Sequence, residues 1–161
     1  MKIELRQANL DDLEEMQTLF VETIKSTCIN DYNKEQINVW TSSVKNKERW
    51  KSILNNQYFL IAEIDNKIVG YGSLENGNYL DFMYVHKDYL RQGIANLLFE
   101  NLKNESIKLG FDRLTSDVSK TARPFFETKG FRIMKENKNV MKSLTIKCQN
   151  KNHEGQQQCG F

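Results

Sequence analysis

Tyr84-Val85-His86-Lys87-Asp88-Tyr89-Leu90-Arg91-Gln92-Gly93-Ile94-Ala95 is the stretch on which the reading of this chain turns. An apolar strand ends at Val85, a short polar loop follows, and a long helix opens at Ile94. Free backbone N–H groups at a helix start, aided by the positive end of the helix dipole, attract anionic oxygens without any basic side chain. Gly93 and Ala95 carry little or no side chain, so an anion can lie against the main chain itself. The segment therefore predicts a phosphate-binding turn. A dinucleotide site would need three spaced glycines in an early βαβ unit and an acid on the next strand, and the sequence has neither.

Upstream, Ile3 and Leu5 alternate with polar residues as a strand does, and Asn9 followed by Asp12 reads as a helix N-cap. Leu13, Met16, Leu19, Phe20 and Ile24 make one apolar helical stripe, and a less regular helical region over 34–54 carries Trp40 and Trp50. Residues 58–64, 68–74 and 79–85 then predict a three-strand meander, its turns at Asp65-Asn66-Lys67 and Glu75-Asn76-Gly77-Asn78. Downstream, Ile94, Leu97, Leu98, Leu102 and Leu109 mark a helix stopped at Gly110, residues 114–118 a strand, and Pro124 and Gly130 bracket a short helix. Strand structure resumes at Phe131. The order predicts one α/β domain over residues 1–146, a mixed, largely antiparallel sheet flanked by helices. Residues 147–161, with Gln156, Gln157 and Gln158 in a row, read as a polar, disordered tail.

At 161 residues the chain suits a single core, and 23 basic against 21 acidic residues leave a net charge of only +2. With the basic residues scattered, neither nucleic acid nor an anionic membrane is expected as a partner. No apolar run reaches membrane-spanning length, and the odd, unpaired set Cys28, Cys148 and Cys159 points to a reducing, cytoplasmic setting. No metal is expected, since His153 and Cys159 lack the further ligands a zinc site needs.

Simple alternation along 79–85 places Tyr79, Asp81, Met83 and Val85 on one face and Leu80, Phe82 and Tyr84 on the other. If Leu74 pairs with Tyr79, Gly72 falls opposite Asp81 and Gly70 opposite Met83, leaving a hollow beside a carboxylate in an apolar strand. Asp81 then reads as a proton acceptor at a ligand site, or as a structural carboxylate with a basic partner. His86, past the strand end, reads as a loop histidine.

Residues 81–131 resemble the GNAT superfamily of N-acetyltransferases, whose signature is Gln/Arg-x-x-Gly-x-Gly/Ala, a helix, a strand, and a second motif ending Tyr-x-x-x-Gly-Phe. The first motif falls on Leu90-Arg91-Gln92-Gly93-Ile94-Ala95, with Leu90 in place of the usual polar residue. The second falls on residues 119–131, where Ala122, Gly130 and Phe131 match. The stretch Asn139-Val140-Met141-Lys142 also looks familiar as a strand.

The resemblance implies acetyl transfer from acetyl-CoA to an amine, and direct attack in a ternary complex is favoured over a covalent acyl-enzyme because none of the three cysteines falls in either motif. It implies that the pyrophosphate sits on Leu90, Arg91, Gln92, Gly93, Ile94 and Ala95, and the amide arm on Met83, Tyr84 and Val85. Ser119 stands where the family often has Asn, and contacts the pantetheine arm. The family's general bases often come from the strand of Asp81, with Tyr79 a second choice. Its general acid is the Tyr four residues before Gly-Phe, which here is Phe126, a wall of the cofactor site with no proton to give. Tyr32, Glu35 and Trp40 offer a carboxylate and aromatic faces for the acceptor, or ordinary packing. The acceptor is a small-molecule or peptide amine, and the chain a monomer or homodimer. A silent acyl-CoA-binding module, favoured by Phe126, and a protein-modifying enzyme fit the same motifs.

Overall fold

The computed structural model describes residues 2–138 and 144–151, with side chains through Arg132. Strand β1 (Glu4–Gln7) leads through a 3-10 turn into α1 (Leu13–Thr27), and α2 (Lys34–Thr41) and α3 (Lys47–Asn56) follow. The less regular helical region expected over 34–54 is thus two helices separated by a 3-10 turn over Ser42–Lys45. The meander is β2 (Tyr58–Ile64), β3 (Lys67–Glu75) and β4 (Tyr79–Val85), after which come α4 (Ile94–Lys108), β5 (Arg113–Ser119) and α5 (Arg123–Thr128). Strands β6 (Arg132–Lys138) and β7 (Leu144–Lys151) finish a seven-stranded sheet ordered β1-β2-β3-β4-β5-β7-β6. Strand β7 reaches Lys151, beyond the domain boundary expected at residue 146. The strand expected at 139–142 and the remainder of the tail lie outside the described residues.

Local signals explain the starts and stops. Asn9 and Asp12 form the expected capping box, and Asn33 with Gln36 forms another at α2. Asp12 does double service, because its carboxylate also takes both terminal nitrogens of Arg6, at 2.8 and 2.7 Å, while Arg6 reaches Glu63 on β2. That ion network ties β1 and the α1 entrance to β2.

Two apolar layers sandwich the sheet. On one face α1, α2 and α3 bury Met16, Phe20, Ile24 and Trp50 against Phe59, Ile61, Ile68 and Tyr71. On the other, α4 and α5 bury Ile94, Leu98, Leu102 and Phe126 against Leu60, Ala62, Val69 and Leu80. Among the described residues no helix is long and apolar enough to cross a membrane.

The register of β3 against β4 departs from simple alternation. Gly70 lies opposite Val85 and Gly72 opposite Met83, but Leu74 lies opposite Leu80, so Ser73 faces two residues, Asp81 and Phe82. This β-bulge inserts one residue into β4 and switches faces across it. Leu80, Met83 and Val85 therefore share the α4 face, whereas Phe82 and Tyr84 join the α1 face. The expected pairing of Gly72 with Asp81 is overturned, and so is the hollow. A Cβ on Gly70 would lie 2.8 Å from Ile94 Cγ2, and one on Gly72 would lie 2.7 Å from Leu102 Cδ1. The two glycines let α4 press against the sheet, and the room they leave is already filled.

Gly70→Ala should therefore overpack this contact, since the new methyl meets Ile94, Leu98 and the Tyr84 carbonyl together. A loss of about 1–3 kcal/mol is expected, read as a lower urea midpoint at unchanged m-value.

Candidate active site

Strands β4 and β5 run parallel, and among the described residues they are paired only at Tyr79 opposite Thr115. Ser116 Oγ donates to the Leu80 carbonyl at 2.6 Å, and past that point the strands part. The split lies over the bulge, which bends β4 and ends its ladder with β5. Two cavities open there, one of about 290 Å³ toward α3 and one of about 550 Å³ toward the α4 start.

The larger cavity ends on the sequence motif. Arg91 (φ 59°) and Gly93 (φ 83°) both adopt left-handed backbone, and Gly93 is the N-cap of α4 without a capping side chain. No acidic residue stands in the first helical turn to occupy the free N–H groups. A Cβ built on Gly93 would meet nothing within 4 Å, so glycine is required here by conformation, and the space beside it is open. Ile94 buries its side chain at 1% exposure, which leaves only its backbone for a ligand. Leu90, Arg91, Gly93, Ile94 and Ala95 line the cavity with Met83, Tyr84 and Val85, whereas Gln92 is exposed and lies outside the lining. The Val85 carbonyl already accepts a 2.9 Å bond from Thr23 Oγ1. His86 is buried and caps the following turn, its Nδ1 accepting from the Asp88 N–H at 3.1 Å. Burial and Lys67 push its pKa down, so it remains a neutral acceptor that shapes the loop.

The smaller cavity carries the carboxylates. At the bulge the Phe82 N–H donates to Ser73 Oγ at 3.1 Å, so the Ser73 hydroxyl proton is directed onto Gln57 Oε1, 2.7 Å away. That fixes the Gln57 amide, whose Nε2 donates to Asp81 Oδ2 at 2.7 Å. Burial raises the Asp81 carboxyl above the ordinary aspartate range, only partly offset by the Gln57 bond and the nearby Arg49 charge. Tyr79 donates its hydroxyl to Asp117 Oδ2 at 2.7 Å, and burial together with that carboxylate pushes its pKa well up, so it keeps its proton.

Aromatic rings of Phe20, Trp40, Trp50, Phe82 and Tyr84 wall this cavity. Tyr32 and Trp40 are on the wall, but Glu35 is exposed and is not; the carboxylates present are Asp81 and Asp117. The cavities share Trp40, Met83, Tyr84, Ser119, Ala122 and Phe126. Phe126 is 2% exposed, packed edge-on against Phe99, Phe125 and Phe131. Ser119 Oγ accepts from the Ala122 N–H at 3.1 Å.

Sequence reasoning missed Thr23, Gln57 and Arg49, which come from elements outside the motifs, Asp117 on the strand between them, and Asn96 and Thr121, which lie beside the motif positions that carry the resemblance. It also set Cys28 aside as outside both motifs, yet the buried Cys28 lies on the wall of the larger cavity.

A family model described as an acetyltransferase (GNAT) domain matches residues 28–147. The chain is 32% identical over 135 residues to the uncharacterized N-acetyltransferase YafP of Escherichia coli, covering 83% of this chain and 84% of that protein. It is similar to a GCN5-related N-acetyltransferase from Rhodopseudomonas palustris at 25% identity and TM-score 0.89, covering 94% of this chain and 96% of the other. It shares its fold with the PaiA N-acetyltransferase of Thermoplasma acidophilum, solved with coenzyme A, at 21% identity and TM-score 0.79, covering 94% and 99%.

The raised Asp81 pKa has a stability consequence. The folded chain holds this proton to higher pH than the unfolded chain, so the group favours folding below its ordinary pKa and loses that contribution as pH rises through the raised value. Asp81→Asn cannot ionise. It is expected to melt above the wild type at neutral pH, with the gap closing as pH falls below about 4, measured by calorimetry across pH.

Proposed function

Because the chain belongs to the GNAT acetyltransferase family and is thereby an acyltransferase, we propose that it moves an acetyl group from acetyl-CoA to a compact primary amine. The observation that carries this reading is the meeting of two cavities where β4 parts from β5, one ending on an uncapped helix N-terminus and the other on a half-buried carboxylate. The larger cavity fits the donor. Its α4 start offers N–H groups to a pyrophosphate, and its apolar wall of Ile24, Tyr89 and Phe125 suits the uncharged arm.

Asp81 takes the proton of the attacking amine. An alkyl ammonium of pKa near ~10.4 must be deprotonated before its nitrogen has a lone pair to use. A carboxylate whose pKa is raised by burial is the stronger base, and the bond from Gln57 holds it in one orientation. Holding both reactants at one junction makes the attack effectively intramolecular, the source of much of the rate such sites achieve. At about 290 Å³ with aromatic walls, the acceptor cavity favours a small amine with an apolar body over an extended peptide. The cytosol, where acetyl-CoA is made and used, is the compartment that fits this chemistry.

Two measurements test the reading. Coenzyme A is expected to bind with 1:1 stoichiometry and raise the melting temperature, and Gly93→Val, forced into left-handed backbone, is expected to lose that binding in calorimetry. Unchanged affinity in that variant removes the pyrophosphate from the α4 start. Asp81→Asn is expected to cut amine-dependent release of CoA by about 10²–10⁴-fold near neutral pH and to regain part of it as the amine deprotonates at higher pH. A pH–rate profile unchanged in shape would assign Asp81 a structural part only.

A further inference from the structure

Resting on the acetyl-transfer reading, we propose that the Tyr84 hydroxyl supplies the hydrogen bond that receives the departing thiolate, the part that Phe126 cannot play. Among the described residues six line both cavities, and of these Trp40, Tyr84 and Ser119 have a side chain that donates a hydrogen bond. Of the neighbouring tyrosines, Tyr89 lines only the larger cavity, and Tyr71 and Tyr79 are spent elsewhere. Tyr71 gives its hydroxyl to the Met16 carbonyl at 3.0 Å in the core, and Tyr79 gives its own to Asp117. Tyr32 lines only the acceptor cavity, where its oxygen accepts from the Lys120 N–H.

Tyr84 differs from all of these in position. The Phe20 ring packs edge-on against it at 4.9 Å between centroids, which fixes the phenol plane. The phenol oxygen lies among Cys28, Trp40, Asp81 and Tyr32, groups drawn from the walls of both cavities. Burial pushes the phenol well above its ordinary range, so the proton stays in place at any working pH.

The chemistry balances without a further reagent. The amine nitrogen bonds to the acetyl carbon, the C–S bond breaks, and its electron pair goes to sulfur. Tyr84 donates a hydrogen bond to that sulfur while the charge develops and retains its own proton. Starting from the ammonium, the nitrogen gives up two protons by way of Asp81, one before attack and one as the amide forms; one reaches sulfur through solvent and the other stays in solvent, giving free thiol and amide. A thiol of pKa near ~8.5 leaves as thiolate in water, but against these apolar walls the charge has little else to solvate it.

The test is steady-state release of CoA by Tyr84→Phe, with acetyl-CoA affinity measured alongside to show an intact donor site. The expected result is a kcat lower by about 10²-fold with little change in KM for acetyl-CoA, as for removal of one preorganised donor. Adding Phe126→Tyr should restore part of the loss, because position 126 opens on the same junction and returns a hydroxyl to it. Undiminished kcat in Tyr84→Phe overturns the proposal, and a loss in Ser119→Ala would then assign the donor to Ser119. A loss in Tyr84→Phe that Phe126→Tyr leaves wholly unrepaired and that comes with weakened acetyl-CoA affinity also overturns it, making Tyr84 a wall of the site. Failure of the acetyl-transfer reading itself shows earlier, as wild-type protein without amine-dependent release.

Discussion

A single extra residue in β4 governs the architecture of the site. Where Ser73 faces both Asp81 and Phe82, the strand can satisfy the Phe82 N–H only through a side chain, and the Ser73 hydroxyl does this. The same hydroxyl donates a hydrogen bond to Gln57, and Gln57 in turn orients Asp81. The backbone irregularity and the placement of the carboxylate are therefore one hydrogen-bond chain. The bend it puts into β4 coincides with the end of pairing to β5, and the two cavities occupy the gap. Repairing the bulge would close the sheet and turn Asp81 onto the wrong face.

This explains what was legible in the sequence and what was not. The meander, the long helix stopped at Gly110 and the loop at Gly93 follow from local signals that act over a few residues, and the mixed α/β sheet follows from their order. Alternation also reads correctly as far as it is uninterrupted, so Phe82 and Tyr84 do share a face. Nothing in Leu80-Asp81-Phe82-Met83 announces a bulge, however, and a slip of one residue moves every later side chain across the sheet. Gly70 and Gly72 were recognisable as places of close approach, but a sequence does not say whether a ligand or a helix is the thing that approaches. The partners of Asp81 were out of reach for a different reason. Gln57 and Ser73 are common polar residues whose meaning depends on tertiary proximity alone.

Asp81 illustrates how such a site is maintained. Burial that makes its carboxyl a stronger base also opposes its ionisation in the folded chain, so the property that serves the reaction works against the fold. The surrounding structure carries that burden easily. The Arg6–Asp12–Glu63 network ties β1 and the α1 entrance to β2 away from the cleft, and the two apolar layers that hold the helices on the sheet also supply the cleft's walls.

The shared wall of the two cavities bears on traffic through the protein. One chamber is entered past Arg49 and Asp117, both exposed, and the other past Leu90, Arg91 and Asn96, also exposed, and among the described residues the two meet at the half-buried junction they share. Neither visitor has to pass the other on its way in or out. The architecture thus imposes no compulsory order of arrival or departure by obstruction, and any such order in this protein has to come from one occupant reshaping the Trp40 and Tyr84 partition for the other.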